Sequence, residues 1–350
     1  MNALTSSLSA PTPPGIAVGP VSAWLSRALP ASAPPYAFER VVGGHSNLTY
    51  IVTDRENAQW VLRRPPLGKL LPTAHDVGRE FRIISALGPS LPVPPVVGLC
   101  SDESVTGAPF YVMDKVDGIV IRDEATAIGY FSEQERHRVG LAVADALAAI
   151  HAVLPSAVGL GDLGRPDDYI GRQLRRWKRQ VDQSKTRELP RLDRVLEQLW
   201  EHLPAQTSTA LVHGDFRLDN CIIGQDGTVR AVLDWELCTV GEPLADLGLL
   251  MVYWTEPGDE LRATAESPTA APGFPSRSAM LERYAQTLGR SLPAIDFYIA
   301  FSYWRLACIS EGVLARYLRG EMGNQAGESE GFSDRVTMLI EAAERITSQW

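Results

Sequence analysis

Residues 211–248 read LVHGDFRLDNCIIGQDGTVRAVLDWELCTVGEPLADLG, and the order of polar residues within this stretch decides the fold. The apolar run Ala210, Leu211, Val212 has strand character and delivers His213 and Asp215 to a loop. Asn220 follows five positions after Asp215, and a second apolar run, residues 229–233, delivers another carboxylate, Asp234. Phosphoryl transfer needs this layout. One carboxylate orients the attacking hydroxyl, while an Asn oxygen and a second carboxylate hold the magnesium that bridges the nucleotide phosphates. Isolated Asp and Asn residues in loops are usually turn formers. The order, the spacing and the placement between two β-like runs carry the reading, not any one residue.

HGDFRLDN followed by LDWE and DLG resembles the aminoglycoside phosphotransferase and choline kinase family, the small-molecule branch of the protein-kinase-like fold. Protein kinases carry an Asp with an Asn five positions on, then Asp-Phe-Gly. Here Asp215 and Asn220 keep that spacing, and Asp234-Trp235-Glu236 stands where Asp-Phe-Gly would be. The resemblance implies an α+β, bilobal protein-kinase-like fold. A flexible segment (residues 1–20) would precede a small antiparallel-sheet N-lobe (21–117) and a larger, mainly helical C-lobe (118–350). It further implies Asp215 as the catalytic carboxylate and Asn220 with Asp234 as magnesium ligands. His213 is expected to anchor the loop through hydrogen bonds, Glu236 to meet metal-bound water, and Asp246 to hold the loop as a structural acceptor.

A catalytic half of this kind predicts a nucleotide clamp upstream. Residues 38–42 read as a strand, GGHSN (43–47) as a turn and residues 48–53 as a returning strand. Gly43 and Gly44 lack a Cβ, so their backbone approaches phosphate closely; Ser46 and Asn47 add side-chain donors. Locally, an ordinary Gly-rich hairpin turn explains the segment as well, and its position ahead of QWVLRR (59–64) favours the phosphate role. In the kinase-like family that strand carries a phosphate-contacting cation, usually Lys. This chain places Arg63 there, bulkier and permanently charged. VLRRPPLGKLLPTAHDVGREFRIISAL and GGHSNLTY resemble the kinase-like domain of acyl-CoA dehydrogenase family members 10 and 11.

The spacing of Val77, Phe81, Ile84 and Leu87 predicts a helix over residues 74–87. Glu80 on that helix is the candidate partner of Arg63, a solvated surface Glu being the plainer alternative. FYVMDKVDG (110–118) is an apolar strand that breaks into a polar turn. By the resemblance it crosses from one lobe to the other, with main-chain groups of Asp114, Lys115 and Val116 on adenine and Met113 near its face. Core burial would explain Met113 equally well.

Composition narrows the class further. A chain of 350 residues, 45% hydrophobic and 21% charged, is an ordinary globular protein of one large or two moderate domains. Its net charge of −9 argues against general binding to nucleic acid or anionic membrane. Cys100, Cys221, Cys238 and Cys308 lack metal-type spacing and read as reduced structural thiols. The N-terminal residues show no secretory pattern, and no run approaches membrane-spanning length. The expectation is a cytoplasmic enzyme without nucleic-acid or membrane partners, its oligomeric state open.

Residues 165–194 hold ten cationic against five acidic residues in an otherwise acidic chain. A solvated helix face is the default reading of such a run. Arg172, Arg175, Arg176 and Arg179 nevertheless fall at helical spacing on one side, where they would attract an anionic substrate such as the phosphates of coenzyme A. The residues beyond 249 are mainly helical, and Tyr303 and Arg305 stand among aromatic residues on one of these helices without an assigned role. The expected function is transfer of the ATP γ-phosphoryl group, with Mg2+, to a hydroxyl of a small molecule; the subgroup resemblance points to a hydroxyacyl-CoA. An antibiotic (aminoglycoside or macrolide) kinase and a nucleotide-binding module without turnover are the alternatives. A protein kinase is disfavoured, because only eleven residues separate Asp234 from Asp246 and no Ala-Pro-Glu follows.

Overall fold

The computed structural model describes residues 12–41, 47–68, 76–206, 208–264, 266–320 and 326–350, with the backbone alone for 326–330. They fall into two compact units, Met1–Val116 and Asp117–Trp350, one residue before the expected boundary.

The first unit runs α1 (Val18–Ala28), β1 (Ala37–Arg40), β2 (Leu48–Thr53), β3 (Gln59–Arg64), α2 (Val77–Leu87), β4 (Val96–Cys100) and β5 (Phe110–Asp114). Its sheet has the order β1-β2-β3-β5-β4 with every neighbouring pair antiparallel. Strand alternation divides the side chains between two faces. Tyr50, Val52, Leu62, Phe110 and Val112 turn to one face and pack with Val21 and Leu25 of α1. Trp24 meets Phe110 edge-on there, with ring centroids 5.0 Å apart. The other face lies towards α2, which packs on β4 and β5. Asp76 caps α2 by accepting the Arg79 N–H at 2.9 Å.

The flexibility expected through residue 20 does not hold for the described part of that segment, residues 12–20. Ile16 is buried, helix α1 begins at Val18, and the Gly15 carbonyl accepts from both Arg64 and the Thr106 hydroxyl. An apolar anchor and satisfied carbonyls outweigh the local Pro and Gly content. Helix α2 starts at Val77; the expected first turn includes residues 74 and 75, which lie outside the described residues, as do Gly43, Gly44 and Ser46.

The second unit opens with β6 (Ile119–Val120), α3 (Glu124–Tyr130), α4 (Glu133–Ala152), α5 (Tyr169–Ser184) and α6 (Pro190–Glu201). It continues through β7 (Ala210–Val212), β8 (Cys221–Ile223), β9 (Val229–Val232), β10 (Thr239–Gly241) and α7 (Leu244–Tyr253). It closes with α8 (Arg277–Leu288), α9 (Ile295–Leu318) and α10 (Ala326–Thr347). Helix α4 starts at a capping box: Glu135 Oε2 accepts the Ser132 N–H at 2.8 Å and the Ser132 hydroxyl accepts the Glu135 N–H. Helix α9 is the central support. It packs against α5, α6, α7 and α10 and buries Phe301 and Trp304. Two small ladders, β6-β8-β9 and β7-β10, frame the 213–234 segment. All four cysteines are buried, and burial pushes the thiols of Cys100, Cys221 and Cys308 up. No helix among the described residues is long and apolar enough to cross a membrane.

Candidate active site

In the second unit, β7 ends at Val212 and the chain turns sharply at Gly214, whose φ of +88° lies in the left-handed region that favours glycine. The turn is held from below by Asp246, in the first turn of α7. Its carboxylate accepts the His213 N–H at 2.5 Å, the Gly214 N–H at 2.9 Å and His151 Nε2 at 3.3 Å. His151 in turn meets the Tyr284 hydroxyl at 2.6 Å. Asp246 is 1% exposed. Burial opposes its charge, but His151, His213 and the Gly214 N–H outweigh it and hold the carboxyl below the usual aspartate value.

His213 is fully buried, and its two ring nitrogens do different jobs. Nε2 lies 2.9 Å from the Leu233 carbonyl, so it donates there; Nδ1 is then the acceptor for the Asp215 N–H at 3.3 Å. The ring packs against Phe216 and Trp235. One imidazole therefore ties the backbone of Asp215 to the residue preceding Asp234, which is a positioning role.

Asn220 donates through Nδ2 to the Asp215 carbonyl at 2.8 Å and to Asp215 Oδ2 at 3.3 Å. Both bonds use the amide nitrogen, so the amide oxygen is the end that could meet a metal. The β8–β9 register pairs Cys221 with Val232, and the Leu233 N–H reaches the Asn220 carbonyl at 2.8 Å. Asn220 thus sits opposite the residue before Asp234. Asp234 itself adopts φ +66°, a left-handed conformation that Asp tolerates better than most residues. An amide oxygen and a carboxylate at one end of a hairpin fit magnesium, which takes hard oxygen donors and asks for only one or two protein carboxylates. Glu236 follows in the short 3-10 turn Trp235–Leu237 and is half-buried.

Four further residues lie around the Gly214–Asp215 turn. Arg217 Nε lies 3.6 Å from Asp215 Oδ2 and 3.1 Å from Asp219 Oδ1, with its guanidinium over the Tyr253 ring. Burial works against the Arg217 charge, yet Asp215 and Asp219 hold its pKa above the usual guanidinium value. Burial pushes the Tyr253 phenol up to about 12, so it stays neutral. Arg305 of α9 donates to the Gly214 carbonyl at 2.9 Å. Arg217 lies inside the HGDFRLDN motif and was open to notice; Tyr253 has no local signal of a site role, and Arg305 carried none that assigned it to the loop.

In the first unit, Arg63 Nε and Glu80 Oε2 stand 3.2 Å apart, with Glu80 only 1% exposed. Arg63 pairs in register with Tyr111 on β5, and Met113 lies two residues on, so Arg63 and Met113 share a sheet face. Arg64 takes the opposite face and donates to the Gly15 carbonyl. Met113 is 6% exposed and Asn47 is buried. The Asp114 N–H is taken by the Pro95 carbonyl at 2.8 Å.

The arginine cluster on α5 is partly satisfied from within. Arg175 pairs with Asp168 and lies over Trp200, Arg176 lies over Trp177, and Arg172 donates to the Arg165 carbonyl. Arg179 is exposed.

An antiparallel five-stranded unit, a helical unit and an Asp–Asn–Asp constellation on short hairpins define a kinase-like phosphotransferase. The chain belongs to the phosphotransferase enzyme family, whose pattern matches residues 37–289. Mouse acyl-CoA dehydrogenase family member 10 is 38% identical over 295 residues, 82% of this chain. That match spans only 27% of the mouse protein, and the chain covers 42% of a chicken member 11 relative. A crystal structure of a candidate aminoglycoside phosphotransferase from Ralstonia eutropha is 33% identical, with a TM-score of 0.78 over 93% of this chain and 98% of that one. An aminoglycoside phosphotransferase solved with AMP-PNP and hygromycin B is 17% identical, with a TM-score of 0.61 over 94% of this chain and 98% of that one, a likeness of fold alone.

Proposed function

We propose that this protein transfers the γ-phosphoryl group of ATP to a hydroxyl of a small molecule. The observation that carries the reading is the hydrogen-bonded pair Asp215–Asn220, held beside Asp234 by the single imidazole of His213. Magnesium, held by the Asn220 oxygen and the Asp234 carboxylate, would neutralise charge on the nucleotide phosphates. Asp215 orients the acceptor hydroxyl and takes its proton as the new oxygen–phosphorus bond forms and ADP leaves. Arg63, fixed by Glu80, positions the phosphates, with residues 43–47 as the remaining part of the clamp. Main-chain groups of Asp114, Lys115 and Val116 hold adenine, with Met113 against its face. Such catalysis rests on positioning and charge compensation, which suits a site built mostly from backbone-anchoring bonds.

Likeness to acyl-CoA dehydrogenase family members supports a hydroxyacyl-CoA as acceptor. The arginine cluster on α5 adds support, being unsuited to polycationic aminoglycosides. The test is ADP release and product mass with MgATP over hydroxyacyl-CoAs, aminoglycosides, macrolides and choline, with Asp215→Asn as control. One acceptor gaining a phosphate, with the control inactive, establishes the reaction and its substrate. Phosphorylation of an antibiotic alone would replace the acyl-CoA reading. MgATP binding with no transfer to any acceptor would leave a nucleotide-binding module.

A further inference from the structure

A cavity of about 610 Å3 opens in the second unit, lined by Arg262, Ala263, Arg335 and Met338 and by two exposed carboxylates, Asp334 and Glu260, the latter 3.8 Å from Arg345. Its two cations differ in what they do. Arg262 is committed to Glu124 at 3.1 Å. Arg335 has a buried Nε without a hydrogen-bond partner and no ion pair among the described residues. Burial lowers the Arg335 pKa, with Tyr253 and Arg217 within electrostatic reach. Arg335 is half-buried, and the Arg217 guanidinium near it is already paired with Asp215 and Asp219, so Arg335 is the cation of this cavity that gains from an incoming anion. The cavity also adjoins the reaction centre: Thr264 lines both it and a narrow cleft containing Arg217, Asp219 and Tyr253. Arg217 in that cleft is 3.6 Å from Asp215. Ala263, Phe332 and Met338 give the cavity apolar walls.

We propose that this cavity is the acceptor subsite and that Arg335 is its specificity-determining residue, binding an oxyanion, carboxylate or phosphate, carried beside an apolar chain. The proposal rests on the phosphotransfer reading above and adds the chemistry that selects the acceptor. Arg335 does not touch the transferred group; it fixes the far end of the acceptor so that the hydroxyl reaches Asp215.

The experiment compares 6-hydroxyhexanoate, its methyl ester and 6-hydroxyhexyl phosphate as acceptors for the wild type, Arg335→Lys and Arg335→Leu. Binding of each acceptor in the presence of MgAMP-PNP is measured by calorimetry alongside turnover. The wild type should prefer an anionic acceptor over the ester by about tenfold or more in kcat/KM, mainly through KM, as expected for a charge-assisted contact. Arg335→Leu should collapse that ratio, and Arg335→Lys should keep part of it. The ratio is internal to each variant, so a general loss of folded protein does not mimic the effect. The better of the two anions identifies carboxylate or phosphate as the recognised group. An unchanged ratio in Arg335→Leu, or a wild-type preference for the ester, overturns the proposal. Arg335-dependent binding of the anions without any turnover would overturn the phosphotransfer reading while keeping the anion site.

Discussion

The Asp246 carboxylate accepts the backbone N–H of His213 at 2.5 Å, so a residue of α7 sets the start of a loop whose functional groups lie further along. The same carboxylate takes Gly214 and His151, three donors on one buried group. Its folded pKa is held below the ordinary aspartate value of 3.8. A depressed carboxylate contributes stability above its unfolded pKa and loses it as pH falls through the folded value. Asp246→Asn should therefore cost about 3 kcal/mol at neutral pH, where it leaves buried donors poorly met. The gap in Tm between wild type and variant should be constant from pH 8 to about pH 5 and narrow below about pH 4. Thermal melts over that range check it, and a gap that widens in acid would contradict this account.

In the proposed mechanism Asn220 and Asp234 serve the metal while Asp215 serves the hydroxyl, and the two functions should separate in kinetics. Asp215→Ala should lower kcat by about a thousandfold or more with the Kd for MgATP within about threefold of wild type. Asp234→Ala should instead weaken magnesium-dependent nucleotide binding by about tenfold or more. Asn220→Ala should raise the magnesium concentration needed for half-maximal rate. Titrations with nucleotide at fixed and varied magnesium distinguish these outcomes; equal losses of binding in all three would contradict the division of roles.

What was legible in the sequence is what lies close along the chain. His213, Asp215, Asn220 and Asp234 fall within 22 residues on two short hairpins, so spacing alone places them near one another. Arg63 and Glu80 were readable through the family resemblance, which puts a cation on that strand, and through the helical spacing around Glu80; they stand 3.2 Å apart. Tyr253 and Arg305 were not assigned to this loop because they reach it from α7 and α9, elements whose patterns report only that they are buried helices. The Asp114 N–H shows the same limit on a smaller scale, since its commitment to Pro95 depends on strand pairing and leaves no trace in either residue's identity. The N-terminal segment looked flexible from its proline content, and its anchoring by Arg64 is likewise a long-range fact.

The Arg63–Glu80 pair should couple nucleotide affinity to the stability of the first unit. Glu80 is 1% exposed, so Arg63→Ala removes a close partner from a buried carboxylate and should destabilise by about 3 kcal/mol. It should also raise the KM for ATP by about tenfold or more. Arg63→Lys keeps the charge without the planar fork and should fall between. A double-mutant cycle with Glu80→Gln should give a coupling energy of about 1–3 kcal/mol. A coupling near zero would mean that the two side chains are neighbours without being partners.

Gly214 is the position where backbone conformation and the reaction centre meet most directly. A Cβ there would lie 2.9 Å from Leu237 Cβ and 3.0 Å from the Leu237 carbonyl oxygen, at a φ of +88° that L side chains rarely adopt. The crowding is against backbone, so it cannot be relieved by turning a side chain. Gly214→Ala should cost about 2 kcal/mol and lower Tm accordingly. It should also displace the Gly214 carbonyl from Arg305 and the N–H from Asp246, moving Asp215 with them. Arg305→Ala removes only the first of those bonds and leaves the φ strain-free, so it should reduce kcat by about tenfold with a smaller loss of Tm. Turnover and melting of the two variants measured together separate the effects. If Arg305→Ala left kcat at the wild-type value, the guanidinium would be supporting α9 and not the loop. If Gly214→Ala lost stability alone, Asp215 would have to reach its position without the turn that now carries it.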